Sequence, residues 1–140
     1  MRQILLFAAL AASLALLSGC ALSRAKEDKA EDMTGKAAYH KISAEEAYEM
    51  MASQEVVVVD VRTREEYDGG HIENAVLVPN ESIGSEMPDA LPDKEATLLV
   101  YCRSGRRSKD AAQKLLELGY QSVYDFGGVI DWPYELVKEG

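Results

Sequence analysis

Cys102 is followed by Arg103, Ser104, Gly105, Arg106, Arg107 and Ser108, and no other run of the chain gathers as much capacity for chemistry. The apolar, β-prone run Thr97-Leu98-Leu99-Val100-Tyr101 precedes it, and a helical pattern follows from Lys109. The cysteine is therefore expected at a strand-to-helix turn, on a surface loop. Such a turn aims main-chain N–H groups, and the positive end of the helix dipole, at whatever occupies its mouth. That field and the three arginines favour the thiolate over the thiol. The pattern describes a nucleophilic cysteine in an anion-binding cradle. No general base is required, because the cradle itself stabilises the anion.

Other polar residues carry weaker signals. Asp60 and Arg62 stand at the end of the β-branched run Val56–Val59, where a buried strand would reach the sheet edge. Arg62 either faces the same ligand as the cysteine or pairs with an acidic partner. Asp60 is read as structural, capping the loop or orienting nearby N–H groups. Ser104 and Ser108 either donate hydroxyls to the sulfur or only shape the turn. His71 is read as a structural histidine and His40 as a surface one. The chain has two histidines and two cysteines, without metal-ligand spacing, so no metal is expected. Trp132 and Tyr134 are read as packing residues.

The elements that must position these residues follow from periodicity and caps. Tyr39–Ile42 reads as a short strand, and Ser43-Ala44-Glu45-Glu46 as a capping box opening a helix with Ala47, Met50 and Met51 on its apolar face. Val56–Val61 reads as a strand covered on both faces. Thr63-Arg64-Glu65-Glu66 is a second capping box for a short helix ending before Gly69-Gly70, and Val76–Val78 is a further strand. Residues 81–91 suggest one or two helical turns and a loop. Ala111, Ala112, Leu115, Leu116 and Leu118 mark the longest helix, closed by Gly119. Val123–Phe126 is a strand, and a final amphipathic helix is expected through Leu136 and Val137. Alternating strands and helices imply a three-layer α/β domain with a mostly parallel sheet, binding ligands at the carboxyl ends of its strands.

The chain has 140 residues, enough for one domain, and a net charge of −9 that argues against a nucleic-acid surface. Residues 1–19 read as an export signal: a short basic start, then the apolar run Ile4–Leu17, too short to span a bilayer comfortably. Leu17-Ser18-Gly19-Cys20 resembles the lipobox of bacterial lipoproteins. That resemblance implies removal of residues 1–19, lipid on Cys20 and anchoring to the membrane. Ala21 after the cysteine suggests the outer membrane, facing the periplasm, in a Gram-negative cell. Residues 20–38 read as a charged tether and 39–140 as the folded domain. With Cys20 lipidated, Cys102 is the sole free thiol of an exported protein, where paired cysteines would oxidise.

Three separated motifs resemble those of the rhodanese-type sulfurtransferases. Asp60-Val61-Arg62-Thr63-Arg64-Glu65-Glu66-Tyr67-Asp68-Gly69-Gly70-His71-Ile72-Glu73-Asn74-Ala75 is similar to their N-terminal signature. Cys102–Ser108 is similar to their active loop, and Gly127-Gly128-Val129-Ile130-Asp131-Trp132 to their C-terminal marker. The resemblance implies that Cys102 attacks the outer sulfur of a small anionic donor such as thiosulfate and releases sulfite. It then carries a persulfide to cyanide, a thiol or a protein acceptor. No cofactor beyond that covalent sulfur is implied, and a monomer is expected. Loop residues Arg103 to Ser108, with Arg62, would surround the donor. Two alternatives stand beside it. Related phosphatases and arsenate reductases place an arginine six positions after the cysteine, where this chain has Ser108. Other rhodanese-like domains act as binding modules, usually with the cysteine replaced.

Overall fold

The computed structural model describes residues 37–139, so the expected signal segment, Cys20 and nearly all of the tether lie outside the described residues. Five strands form one parallel sheet: β1 (Ala38–Lys41), β2 (Val57–Asp60), β3 (Val76–Leu77), β4 (Thr97–Cys102) and β5 (Ser122–Gly128). Their spatial order is β1-β5-β4-β2-β3. Strand β4 is central and pairs with β2 (Val59 opposite Val100) and with β5 (Val100 opposite Asp125). Strand β1 includes Ala38, one residue before the expected start of the domain.

Helices α1 (Ala44–Ser53), α2 (Arg64–Asp68) and α3 (Arg106–Glu117) connect the strands. Both expected capping boxes are formed. Ser43 Oγ accepts the Glu46 N–H while Glu46 accepts the Ser43 N–H, and Thr63 and Glu66 repeat the exchange. Each box satisfies amides that have no partner inside the helix, which is why α1 and α2 begin where they do.

The side-chain alternation of β4 divides the core into two layers. Leu98, Val100 and Cys102 join Val59, Val61 and Val123 on one face, beneath Ala111, Ala112 and Leu115 of α3. Leu99 and Tyr101 join Val58 and Phe126 on the other, against Ala47 of α1 and Tyr67 of α2. With both faces covered, the middle strands read as continuous apolar runs.

Two expectations are corrected. No helix follows Trp132 among the described residues. Val129–Asp131 makes one 3₁₀ turn, and the chain then runs back to pair Val137 with His71 through N–H···O bonds of 2.8 and 2.9 Å. Pro133 disfavours helical geometry at Trp132, which is extended at φ −80°, ψ 112°. Residues 81–91 hold one short helical turn, the 3₁₀ turn Asn80–Ser82 that overlaps their start, and then loop, in keeping with the expectation for this stretch. Helix α3 begins at Arg106, so Arg106, Arg107 and Ser108 form its first turn. Their side chains are mostly polar, and apolar periodicity therefore detected the helix only later.

Candidate active site

Cys102 is the last residue of β4 and is 1 % exposed, in contact with the α3-side core and not on a surface loop. The turn that follows is only Arg103-Ser104-Gly105. Gly105 stands at φ +100°, a conformation costly for residues with a Cβ, and this reversal aims the start of α3 back at the sulfur. The Gly105 N–H donates to Cys102 Sγ at 3.0 Å. The first intrahelical bond of α3 is Lys109 N–H to the Gly105 carbonyl, leaving the amides of Arg106, Arg107 and Ser108 without helical partners.

Two opposing effects act on the thiol. Burial is the larger single influence and raises its pKa, but the main-chain N–H groups of Ser108, Gly105 and Ser104, with the Ser108 hydroxyl, together outweigh it. The outcome is a thiol more acidic than usual. Main-chain amides produce this shift. Of the three loop arginines that the sequence suggested as contributors, Arg107 is engaged with another partner.

Arg107 makes a two-pronged ion pair with Glu66 of α2, at 2.8 and 2.9 Å, and this bond is the main reason the Glu66 carboxyl falls to about 2. Arg107 therefore clips α3 to α2 instead of standing free for a ligand. Arg62 lies outside the loop and is buried. Its guanidinium bonds Asp60 at 2.7–3.1 Å and the Gly70 carbonyl at 2.7 Å. Of its two sequence readings, pairing with an acid is the one observed. Asp60 also accepts the Tyr101 hydroxyl at 2.6 Å, so the residue before the cysteine is anchored across the sheet face. Burial, reinforced by that carboxylate, pushes the Tyr101 phenol well above its ordinary value.

Arg103, Ser104 and Arg106 are exposed around the turn, and neither arginine has an ion pair among the described residues. Ser108 is fully buried, and its hydroxyl is 2.7 Å from Asp125 Oδ1, closer than any other acceptor. His71 is buried, stacked on Tyr67 at 3.7 Å, with Nδ1 bonded to the Tyr67 carbonyl. It belongs to the α2 side of the sheet. His40 is half-buried and stacks on Tyr124. Among the described residues no three His, Cys, Asp or Glu side chains are grouped to hold a metal ion.

The Gly127-Gly128 pair explains itself in three dimensions. Gly128 pairs with Cys102 after a register shift in the β4–β5 ladder, and a Cβ there would overlap the carbonyl of Arg103. Its backbone is ordinary, at φ −135°, so space alone demands glycine. The Ile130 N–H then bonds the Arg103 carbonyl at 3.2 Å, holding the turn from below. Sequence reasoning missed the site roles of Glu66, Tyr101 and Asp125. A signal existed for Asp125: it is the one charge in β5, beside buried apolar neighbours.

A family model for the rhodanese-like domain matches residues 43–133. Among solved structures, an E. coli rhodanese determined with anions is 35 % identical, with a TM-score of 0.55, covering 61 % of this chain and 100 % of that one. A Staphylococcus aureus rhodanese-like domain protein is 31 % identical, with a TM-score of 0.62, covering 72 % and 99 %. A human single-domain sulfurtransferase is 28 % identical, with a TM-score of 0.59, covering 66 % and 93 %. Curated relatives include a tRNA uridine(34) hydroxylase of Yersinia pestis, 31 % identical over 106 residues. The match takes in 72 % of this chain but spans only 30 % of that relative's length.

Two outcomes follow from this geometry. The rate of Cys102 alkylation against pH should show a midpoint below the free-thiol value of about 8.5. Gly128→Ala should cost about 3 kcal/mol in urea unfolding, the upper end of the usual overpacking range, because main chain stands where its methyl must go.

Proposed function

The chain belongs to the rhodanese-like family, and from that premise we propose that it is a sulfurtransferase with Cys102 as its sulfur carrier. The observation that carries this reading is the Cys102 sulfur at the end of β4, accepting the Gly105 N–H at 3.0 Å where the first turn of α3 begins. In the first half-reaction the Cys102 thiolate attacks the outer sulfur of thiosulfate. A bond forms between Sγ and that sulfur while the sulfur–sulfur bond of thiosulfate breaks. Sulfite departs with the electron pair. In the second half-reaction an acceptor, cyanide or a thiolate, attacks the outer sulfur of the persulfide and returns Cys102 to the thiolate. Neither half needs an added oxidant, and the shared intermediate predicts ping-pong kinetics.

The main-chain N–H groups hold negative charge on the sulfur throughout. Arg103 and Arg106, exposed and without ion pairs among the described residues, are the cations that draw in the donor and steady the departing sulfite. Ser104 and Gly105 contribute through the main chain. Ser108 contributes its amide, and Arg107 and Arg62 contribute by fixing the frame. No cofactor takes part. The tRNA substrate in the relatives' name is not carried over, since the match covers less than a third of their length and this chain is strongly acidic.

Lipid attachment at Cys20 would place this activity outside the cytoplasm, facing the periplasm if the anchor is in an outer membrane. Cytosolic sulfur acceptors would then be out of reach, leaving an exported thiol or protein thiol. Mass analysis of the N-terminal peptide from the native membrane should find a lipidated Cys20; an unmodified peptide beginning upstream of Cys20 would contradict it. Cys102→Ser should lose at least about a thousandfold in thiosulfate:cyanide transfer, as expected when a covalent nucleophile is removed. Retained transfer in that variant would defeat the assignment.

A further inference from the structure

Asp125 is 1 % exposed, and the chemistry proposed above gives it no part. Both of its oxygens are engaged. Oδ1 accepts the Ser108 hydroxyl at 2.7 Å and the Gly127 N–H at 2.9 Å. Oδ2 accepts the Tyr39 hydroxyl at 2.7 Å and lies 3.4 Å from Lys41 Nζ. This many partners compensate a buried carboxylate that would otherwise be costly. Burial first, and then this carboxylate, raise the Tyr39 phenol to about 12.

These bonds join the elements that meet under the thiol. Ser108 lies in the first turn of α3 and supplies one of the amides that hold the Cys102 sulfur. Gly127 leads directly into Gly128, which lies against the Arg103 carbonyl at the other end of the turn. Tyr39 and Lys41 bring in β1, on the far side of β5 from Cys102. One carboxylate thus grips the support of both ends of the turn.

Charge and geometry predict opposite signs for its influence. A nearby negative charge opposes a thiolate, whereas hydrogen bonds that hold the amides in place favour it. We propose that Asp125 is a positioning residue, holding Ser108 and the Gly127 corner so that the amides of the turn converge on Cys102. This rests on the sulfur-carrier reading only for its consequence in turnover. The positioning itself is legible in the acidity of the thiol.

The test is alkylation of the full-length chain by iodoacetamide across pH, followed at the Cys102 peptide by mass spectrometry so that Cys20 does not contribute. Asp125→Ala should raise the midpoint by about one pH unit, leaving about tenfold less thiolate at low pH. Asp125→Asn keeps an acceptor oxygen for Ser108 and should bring the midpoint back down from the alanine value. A midpoint in Asp125→Ala at or below wild type, or one in Asp125→Asn as high as in alanine, overturns the proposal. If circular dichroism shows that the alanine variant does not fold, Asp125→Ser, whose side chain is too short to reach both Ser108 and the Gly127 N–H, carries the test, with a raised midpoint in favour and an unchanged one against. Thiosulfate:cyanide transfer by the same proteins separates the two readings. A wild type with an acidic thiol but no transfer would defeat the sulfurtransferase reading and leave the positioning intact.

Discussion

The structure turns on a contest at one sulfur atom. Cys102 ends the central strand of a sheet covered on both faces, so burial drives its thiol toward the neutral form. The amides of the turn and of the first turn of α3 drive it the other way and prevail. That outcome needs the helix to begin at Arg106, directly after Gly105 has reversed the chain, with only Arg103-Ser104-Gly105 between strand and helix. Gly105 in its left-handed conformation, Gly128 pressed against Arg103, and the Ile130–Arg103 hydrogen bond all serve that close approach.

The arginines, by contrast, divide their labour. Arg62 and Asp60 form a buried pair that also anchors Tyr101, and removing either partner would strand a charge in the interior. Arg107 and Glu66 tie the two helices that flank the turn. The Glu66 carboxyl is depressed to about 2, chiefly by that arginine, so the clip stabilises the fold above the ordinary carboxylate range and is lost as pH falls toward about 2. Of the three loop arginines, Arg103 and Arg106 remain exposed.

The sheet, the three helices and the position of the turn were legible in the sequence because each had a local cause. Val56–Val59 and Leu98–Val100 are apolar throughout, as strands covered on both faces must be, and both capping boxes sit at their helix starts. What escaped had causes distant in sequence. The Arg107–Glu66 pair spans 41 residues, and Tyr39 meets Asp125 across 86. Periodicity in either segment carries no trace of the other. The missing C-terminal helix had a local warning in Pro133, but the pairing of Val137 with His71 that replaces the helix is again long-range. Burial of Cys102 was hidden by the polar sequence that follows it: Arg103 and Ser104 are at the surface, while the cysteine itself still belongs to the buried strand.

The proposed role of the site is most directly tested by the intact mass of the protein after incubation with thiosulfate and removal of the donor, with no acceptor present. The account predicts a gain of one sulfur atom, mapped to Cys102, absent from Cys102→Ser, and lost again when cyanide is added. A wild-type chain that leaves thiosulfate with its mass unchanged, while its Cys102 thiol is still open to alkylation, would contradict it.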